Sequence, residues 1–318
     1  MKKVLVTGGA GYVGSILIPK LLDKGYYVRC FDNMMYKTPS LQTSCIDKKF
    51  EFVRGDIRNH VAVRDAVKDM DYIIHLAAIV GFPACRRNER LAREVNYLGT
   101  VNIENVRDYD KQKIVYASTG SVYGAIHKAI GENVDAVCTE DYPPKPLTWY
   151  GKTKLEAEQE VMVHNNSVAF RFATAFGLSP RLRLDLMPND FTYQAVKNKM
   201  LVLYEKGFKR TFIHVRDLAD SYLFAIENFD KIKGEVYNIG SEKMNYTKWD
   251  VANLIRKYVD YDIILSGKGS DPDKRDYTVS YEKIRKKGFE TKISMEEGIQ
   301  EMVRGIDMIE IVNPYSNA

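Results

Sequence analysis

The chain has 318 residues, of which 45% are hydrophobic and 28% are charged, and its formal net charge is +5. This length is sufficient for one large or two modest domains with a substantial core. The charge is mild and no dense basic run is interleaved with aromatic residues, so nucleic acid is not an expected partner. No apolar run reaches the ~18 residues of a membrane helix, so a membrane is not an expected partner either.

The four cysteines are Cys30, Cys45, Cys85 and Cys138. They form no Cys-x-x-Cys pair and show no metal-ligand spacing with a histidine, so no metal site is predicted. Reduced thiols are the simplest interpretation. The amino-terminal apolar run is too short and too often interrupted by glycine for a signal peptide. We therefore predict a cytoplasmic protein.

Short apolar runs alternate with longer helical patterns along the first 175 residues. The predicted strands are 3–7, 27–31, 50–54, 72–78, 113–118 and 167–173, and the helical stretches between them are 12–23, 61–69, 89–107 and 151–164. The runs are continuously apolar, which is typical of parallel strands buried on both faces. This alternation predicts βαβ units and therefore an α/β fold with a parallel sheet.

The pattern loosens after residue 175. Prolines and charges in 176–190 indicate a loop. The elements predicted beyond it are helix 191–200, strand 201–204, a strand and a helix within 211–229, strand 234–241, and helices near 247–259 and 295–309. We predict a first domain over 1–175, to which the chain returns around 211–240, and a smaller mixed α/β lobe over 176–318.

Three glycines, Gly8, Gly11 and Gly14, lie between the first predicted strand and the first predicted helix. Glycine permits a tight turn and lets the backbone approach a pyrophosphate at the helix N-terminus. Asp32 ends the second strand, where a carboxylate can accept hydrogen bonds from both adenosine ribose hydroxyls and repel a 2′-phosphate. The pattern predicts a Rossmann-type doubly wound sheet that binds NAD rather than NADP. A glycine turn without a ligand and an ordinary turn aspartate are the alternatives.

The strand 113–118 leads into a hydroxyl cluster at 118–121, at the sheet edge where ligands bind. The next helix begins near Tyr150, and Lys154, four residues later, shares its face. A lysine cation and a cationic nicotinamide ring both favour the phenolate over the phenol. Tyr150 could then take a proton from a sugar hydroxyl as a hydride leaves the same carbon.

The Tyr-x-x-x-Lys spacing is weak evidence by itself, because the chain contains it three times. The pairs are Tyr109/Lys113, Tyr150/Lys154 and Tyr193/Lys197. Only the second pair follows a hydroxyl cluster at a strand end and opens a predicted helix. We interpret the other two as surface or packing residues.

Together these motifs resemble the extended short-chain dehydrogenase/reductase family, in its NAD-dependent nucleotide-sugar epimerase/dehydratase branch. The resemblance extends over nearly the whole chain. It rests on "TGGAGYVG" at 7–14, "DN" at 32–33, "GDIR" at 55–58, "HLAA" at 75–78, "VNYLGTVN" at 95–102, "STGSVYG" at 118–124, "YGKTK" at 150–154, "RTFIHVRDLA" at 210–219 and "YNIGS" at 237–241. It implies an NAD-binding Rossmann domain over 1–175 and a lobe over 176–318 that binds a nucleotide sugar.

The resemblance also implies a set of cofactor-binding residues. These are Gly8, Gly11, Tyr12, Val13, Gly14, Asp32, Asn33, Asp56, Ile57, Leu76, Ala77, Ala78, Asn96, Tyr150 and Lys154. By this resemblance Asp56 and Ile57 would contact the adenine, and Asn96 would lie near the cofactor. Lys154 would hold the nicotinamide ribose.

Three residues are implied to be catalytic, namely Thr119, Tyr150 and Lys154. Thr119 would hydrogen-bond the sugar 4-hydroxyl, and Tyr150 would be the base. The implied substrate-binding residues are Thr119, Thr174, Arg183, Asn189, Arg210 and Arg275. Arg210 would bind the nucleotide diphosphate, and Arg275 would do likewise.

The chain also departs from the family pattern. The 4,6-dehydratases carry an acidic residue just after the catalytic threonine, where this chain has Gly120 and Ser121. Many 4-epimerases carry asparagine where Thr174 stands. The stretch 179–193 resembles that of heptose-modifying members from bacterial capsule pathways, with Arg181, Arg183 and Asn189 as candidate contacts to phosphate or sugar. Surface loop charges are the alternative interpretation of the two arginines.

These features predict NAD-dependent oxidation at C4 of a nucleotide-activated sugar, a GDP-linked heptose or a related hexose, in surface-polysaccharide biosynthesis. The alternatives are a nucleotide-sugar 4-epimerase, similar to UDP-glucose 4-epimerases, and a non-catalytic NAD-binding protein. Family members are often dimers, which implies a homodimer through a four-helix interface built from 89–107 and 151–164.

Overall fold

A computed structural model describes residues 1–124, 137–207, 209–267 and 278–309 of the chain. Its strands are β1 (Lys3–Thr7), β2 (Tyr27–Asp32), β3 (Phe50–Arg54), β4 (Tyr72–His75), β5 (Lys113–Thr119), β6 (Val137–Cys138), β7 (Ser167–Phe172), β8 (Thr174–Phe176), β9 (Met200–Leu203), β10 (Lys209–His214), β11 (Glu235–Ile239), β12 (Asn245–Thr247), β13 (Asp262–Leu265) and β14 (Thr278–Val279). Its helices are α1 (Gly14–Asp23), α2 (His60–Val67), α3 (Phe82–Arg87), α4 (Glu89–Arg93), α5 (Gly99–Glu104), α6 (Trp149–Val161), α7 (Met187–Tyr193), α8 (Val215–Glu227), α9 (Phe229–Ile232), α10 (Lys248–Arg256), α11 (Glu282–Lys287) and α12 (Met295–Asp307).

Seven strands form the large sheet, in the order β11-β7-β5-β4-β1-β2-β3. Every neighbouring pair in it is parallel. The chain leaves β1 towards β2 on one side and returns to β4 on the other, so the strand order reverses between β1 and β4. Ligands of open α/β sheets bind in the crevice at such a reversal, at the carboxyl ends of the strands. The predicted Rossmann-type α/β sheet is confirmed.

Alternating side chains of β1 hold helices on both faces of the large sheet. Val4 and Val6 belong to the core cluster that contains the buried face of α1. Leu5 belongs to the opposite cluster, which contains Ala157 and Val161 of α6. Each fully buried aliphatic side chain stabilises the fold by roughly 1.5–3 kcal/mol, so both layers fix the sheet edge that carries the ligand crevice.

A second group of elements lies beyond the large sheet. β12, β10 and β8 form a three-stranded sheet, β9 pairs with β13, and Phe176, Phe212 and Met302 belong to a third core cluster. β11 then pairs with β7 at the edge of the large sheet. The division into a domain over 1–175 and a lobe over 176–318 stays a prediction.

Several predicted elements differ from the structure in their bounds, and two helical regions illustrate this. The predicted loop 176–190 already contains the start of α7 at Met187, where Pro188 occupies the first helical turn that tolerates proline. The single predicted helix 89–107 is divided into α4, a π-helical turn at Glu94–Leu98 and α5. Within the described residues, no helix has both the length and the apolar character needed to cross a membrane.

Candidate active site

A cleft lies at the carboxyl ends of the central strands and combines residues from both halves of the chain. The predicted site residues that line it are Gly8, Gly11, Tyr12, Val13, Gly14, Asp32, Asn33, Asp56, Ile57, Leu76, Ala77, Ala78, Thr119, Tyr150, Lys154, Thr174 and Arg183. The fold therefore brings the glycine turn, the ribose carboxylate and the Tyr-x-x-x-Lys pair to one cavity.

The glycine turn leaves no room for side chains at two positions. Gly8 has a φ of +68°, and a Cβ there would lie 2.7 Å from the backbone nitrogen of Ala77. A Cβ on Gly14 would lie 2.3 Å from the carbonyl oxygen of Gly9. α1 begins at Gly14, and the Ser15 and Ile16 amides donate to the Gly11 and Val13 carbonyls at 3.0 and 3.1 Å. The positive end of the helix dipole lies at the glycine turn, and we call this turn together with the start of α1 the anion cradle.

Asp32 is the last residue of β2 and lines the cleft. Its position at the end of the second strand is where the adenosine ribose of a dinucleotide is expected. Its Oδ1 accepts a hydrogen bond from the Met34 amide at 2.7 Å, and its Oδ2 accepts one from the Ala10 amide at 3.0 Å. Burial raises the pKa of this carboxyl above its ordinary value. Arg29, a cation three residues before Asp32 in β2, is held by Glu51, with 2.6 Å between Nε and Oε2.

Asp56 and Asn33 connect the ends of β3 and β2 beside the cleft. The Asn33 side-chain amide donates to Asp56 Oδ2 at 3.2 Å, and Arg58 donates to the same carboxylate at 2.9 Å. The Arg58 guanidinium holds the pKa of Asp56 at about 2. Ile57, which lies between Asp56 and Arg58 in the sequence, is buried.

Thr119 and Tyr150 reach the cleft from β5 and α6, respectively. Thr119 is the last residue of β5, and its Oγ1 accepts a hydrogen bond from the Ser121 amide at 3.1 Å. Thr148 caps α6 by accepting from the Gly151 amide at 3.1 Å. The cap starts the helix immediately before Tyr150, so that Tyr150 and Lys154 lie one turn apart on it.

Lys154 is a buried cation. Only 3% of the residue is exposed, and its Nζ lies 4.1 Å from the centre of the Tyr116 ring. Burial lowers the pKa of Lys154 to about 7, although the Glu158 carboxylate and Cys85 act in the opposite direction. An anionic or hydroxyl-rich ligand would therefore stabilise its protonated form.

A buried ion pair joins β5, α6 and β7 through Glu158, one helical turn after Lys154 on α6. Ser118 Oγ donates to Glu158 Oε2 at 2.5 Å, and Arg171 Nη2 donates to Glu158 Oε1 at 2.6 Å. Arg171 also donates to the Tyr123 hydroxyl at 3.1 Å. We call these four residues the bracket. The bracket fixes the strand end that carries Thr119 against the helix that carries Tyr150.

The structure places two predicted ligand contacts, Asn96 and Asn189, behind the cleft lining rather than on it. The Asn96 side chain accepts from the Ile79 amide at 2.7 Å and donates to the Ile79 carbonyl at 3.0 Å. Asn189 accepts from the Gly177 amide at 2.9 Å and donates to the Tyr12 hydroxyl at 3.3 Å. Both amides therefore hold the backbone or side chain of neighbouring residues.

The three arginines predicted to bind the substrate, Arg183, Arg210 and Arg275, differ in their surroundings. Arg183 lines the cleft and is paired with Asp185, with 2.6 Å between Nη2 and Oδ2. Arg210 borders a shallow depression that shares Phe172, Ala173 and Thr174 with the cleft. Arg275 lies outside the described residues.

Tyr222 lines the cleft from α8, although the sequence pattern did not predict it as a site residue. Its hydroxyl is buried and has no hydrogen-bond partner among the described residues. Burial raises the pKa of Tyr222, and the nearby Tyr150 acts in the same direction. An amphipathic helix pattern cannot separate this tyrosine from the core positions beside it.

The cleft fits a dinucleotide. The glycine turn and the start of α1 form the anion cradle, and Asp32 offers acceptors to ribose hydroxyls. The buried Tyr222 hydroxyl, which has no partner in the described part of the chain, could be satisfied by a ligand group. The Tyr150/Lys154 pair lies in the same cavity, at the carboxyl edge of the sheet.

Comparisons with known proteins agree with this geometry. The model of the NAD dependent epimerase/dehydratase family matches residues 4–240. A putative UDP-glucose 4-epimerase of Methanocaldococcus jannaschii is 29% identical over 94% of this chain and 97% of its own length. CDP-paratose 2-epimerase of Salmonella typhi is 30% identical over 94% of this chain and 98% of its own.

One of the similar solved structures is that of UDP-glucuronic acid 4-epimerase from Bacillus cereus in complex with UDP-glucuronic acid and NAD. It is 26% identical, has a TM-score of 0.83, and is matched over 96% of this chain and 99% of that chain. The predicted family and its cofactor are confirmed. The chain therefore belongs to the NAD-dependent epimerase/dehydratase family of extended short-chain dehydrogenases/reductases and is an NAD-dependent enzyme.

Proposed function

We propose that this enzyme oxidises C4 of a nucleotide-activated sugar to a 4-keto sugar. The observation that carries the proposal is the meeting of Thr119, Tyr150 and Lys154 in one cleft with the glycine turn. When bound, NAD supplies the acceptor for the hydride from C4. Thr119 would hydrogen-bond the 4-hydroxyl, and the Tyr150 phenolate would take its proton as the carbonyl forms.

Lys154 would support this proton transfer by its charge. It is buried four residues after Tyr150, and a cation in a poorly hydrated cleft favours a nearby phenolate. The ribose hydroxyls of the cofactor are the ligand groups that we propose for its ammonium. Both roles need Lys154 to be protonated in the working complex.

We propose a GDP-linked heptose, or a related hexose, as the substrate, in surface-polysaccharide biosynthesis. Arg183 would contact the sugar or a phosphate from the cleft, and Thr174 would line the sugar position. Arg210 would bind the nucleotide diphosphate from the adjoining depression, which Thr174 also borders. The heptose is supported by the stretch 179–193, which contains Arg183 and resembles the corresponding stretch of heptose-modifying family members.

The second candidate function is a 4-epimerase. It shares the same first step, after which the hydride returns to the other face of the keto sugar. The similarity to two 4-epimerases, those of M. jannaschii and B. cereus, favours it. Dehydration is less favoured, since Gly120 and Ser121 follow Thr119 and neither supplies an acid.

A panel of GDP-, UDP-, dTDP- and CDP-sugars tests the proposal, with the sugar followed by NMR and NADH followed by absorbance. A 4-keto product with accumulating NADH, or turnover that requires an added electron acceptor, is the expected result. A C4 epimer without lasting NADH would establish the second candidate instead. Products changed at C2 or C6 without oxidation at C4, or no product from any sugar in the panel, would contradict C4 oxidation.

Asp32→Asn should weaken NAD binding about tenfold and reduce the preference for NAD over NADP. The amide keeps the size of the carboxylate but removes its charge and one acceptor, and hydrogen bonds to charged groups contribute roughly 1.5–3 kcal/mol. Isothermal titration of nucleotide-free protein with NAD and NADP measures both affinities. An unchanged NAD affinity would show that Asp32 does not hold the ribose.

The proposed assembly is a homodimer, and the proposed location is the cytoplasm. For the dimer, Leu98 is 41% exposed beside α5, and α4 lies close to α6 through the hydrogen bond from the Trp149 indole to the Glu89 carbonyl. For the location, the four cysteines are free thiols.

A further inference from the structure

A segment of the second half of the chain crosses to the glycine turn. We call residues 178–186, between β8 and α7, the strap. Ser179 Oγ donates to the Tyr12 carbonyl at 2.7 Å and lies 2.8 Å from Ser15 Oγ. The Tyr12 hydroxyl in turn donates to the Gly177 carbonyl at 2.7 Å. The start of the strap is therefore fixed on the turn that forms the anion cradle.

Arg181 connects the strap to the loop after Asp32, where the adenosine of the cofactor is expected. Its guanidinium carbon lies 3.8 Å from the centre of the Tyr36 ring, in the loop that follows Asp32. Only 6% of Arg181 is exposed, and it lines the cleft. A guanidinium carries five N–H donors in a rigid fork, which matches the geometry of a planar or tetrahedral anion.

The charges that act on Arg181 are mixed in sign. Burial lowers the pKa of Arg181 and Arg183 acts in the same direction, whereas the Asp185 and Asp32 carboxylates favour its protonated form. Asp185 is at the same time the bidentate partner of Arg183, with distances of 3.1 and 2.6 Å. A further anion between Arg181 and the start of α1 would offset the cost of burying this cation.

We propose that Arg181 is a ligand of the pyrophosphate of NAD, and that the strap thereby closes over the dinucleotide. The pyrophosphate is the doubly anionic part of that cofactor and is expected at the start of α1, where Ser179 fixes the strap. The inference rests on the proposed position of the cofactor. Release of NAD would then require the Arg181–Tyr36 stack to open.

Arg181→Gln tests this assignment, with Arg183→Gln as the matched variant of the other strap arginine. In nucleotide-free protein, Arg181→Gln should weaken NAD and ADP-ribose at least tenfold and change adenosine binding little, because adenosine has no pyrophosphate. Arg183→Gln should leave NAD affinity within about twofold and raise the KM for the sugar nucleotide. Stopped-flow displacement should show faster NAD release from Arg181→Gln.

Several results would overturn the inference. These are an unchanged affinity for ADP-ribose, an equal loss for adenosine, or a change confined to the KM of the sugar nucleotide. If Arg181→Gln does not fold, Tyr36→Ala removes the stacking partner of Arg181, and NAD release as slow as in the wild type would contradict the closed strap. Wild-type protein that binds no NAD, or binds it but oxidises no sugar at C4, would instead count against the proposed function.

Discussion

Replacing Tyr150 with phenylalanine should lower kcat by about 10²–10⁴-fold while NAD stays bound, the range expected when a general base is removed. The substitution removes one hydroxyl and keeps the ring that lines the cleft. The proton of the sugar hydroxyl then has no phenolate to receive it. Single-turnover measurement of NADH formation isolates this step from product release.

The matched control for Tyr150→Phe is Tyr109→Phe. Tyr109 also begins a Tyr-x-x-x-Lys spacing, but it precedes β5 and so lies at the opposite edge of the sheet. Its hydroxyl donates to the Glu104 carbonyl at 2.5 Å, so the control should lose about 1 kcal/mol of stability and no catalytic rate. Undiminished turnover in Tyr150→Phe would assign the base to another group.

Replacing Lys154 with methionine should lower kcat roughly 10²-fold and change how the stability of the NAD-free protein depends on pH. The buried lysine has a pKa of about 7, against 10.5 for an ordinary lysine. Between these values the unfolded chain binds a proton that the folded chain does not. The free energy of unfolding therefore rises with pH across this window, by roughly 2 kcal/mol between pH 7 and 9.

The difference between wild type and Lys154→Met isolates this contribution from other titrating groups. Glu158, Cys85 and His75 all interact with the lysine charge and remain in both proteins. Urea unfolding at a series of pH values should show the rise in the wild type and its absence in the variant. Lys152→Met, an exposed change on the same helix, should behave like the wild type. Parallel curves for wild type and Lys154→Met would show that Lys154 keeps an ordinary pKa.

The sequence was sufficient to predict the sheet and the place of its ligand crevice. Continuous apolar runs predict buried parallel strands, and the glycine turn after β1 locates the nucleotide end. Of the three Tyr-x-x-x-Lys pairs, Tyr150/Lys154 was selected by its position after a strand-end hydroxyl cluster. That choice depended on topology, which the alternation of strands and helices indicates directly.

The parts that could not be predicted depend on contacts between distant residues. Asn96 and Asn189 are polar residues beside cleft-lining segments, and only the structure shows that their amides bind neighbouring backbone groups. The stack of Arg181 on Tyr36 joins residues far apart in the chain and has no local pattern. Tyr222 occupies a helix position that hydrophobic periodicity assigns to the core.

The bracket of Ser118, Glu158, Arg171 and Tyr123 separates two kinds of evolutionary change in this enzyme. Because it joins β5, α6 and β7, it ties the elements that carry the groups proposed for proton transfer to the large sheet. The strap belongs to the other half of the chain and contributes Arg181 and Arg183 to the cleft. If Arg183 contacts the sugar as proposed, substitutions in the strap that spare Arg181 would alter which sugar is accepted without disturbing the bracket, so new specificities could arise beside an unchanged Tyr150/Lys154 pair.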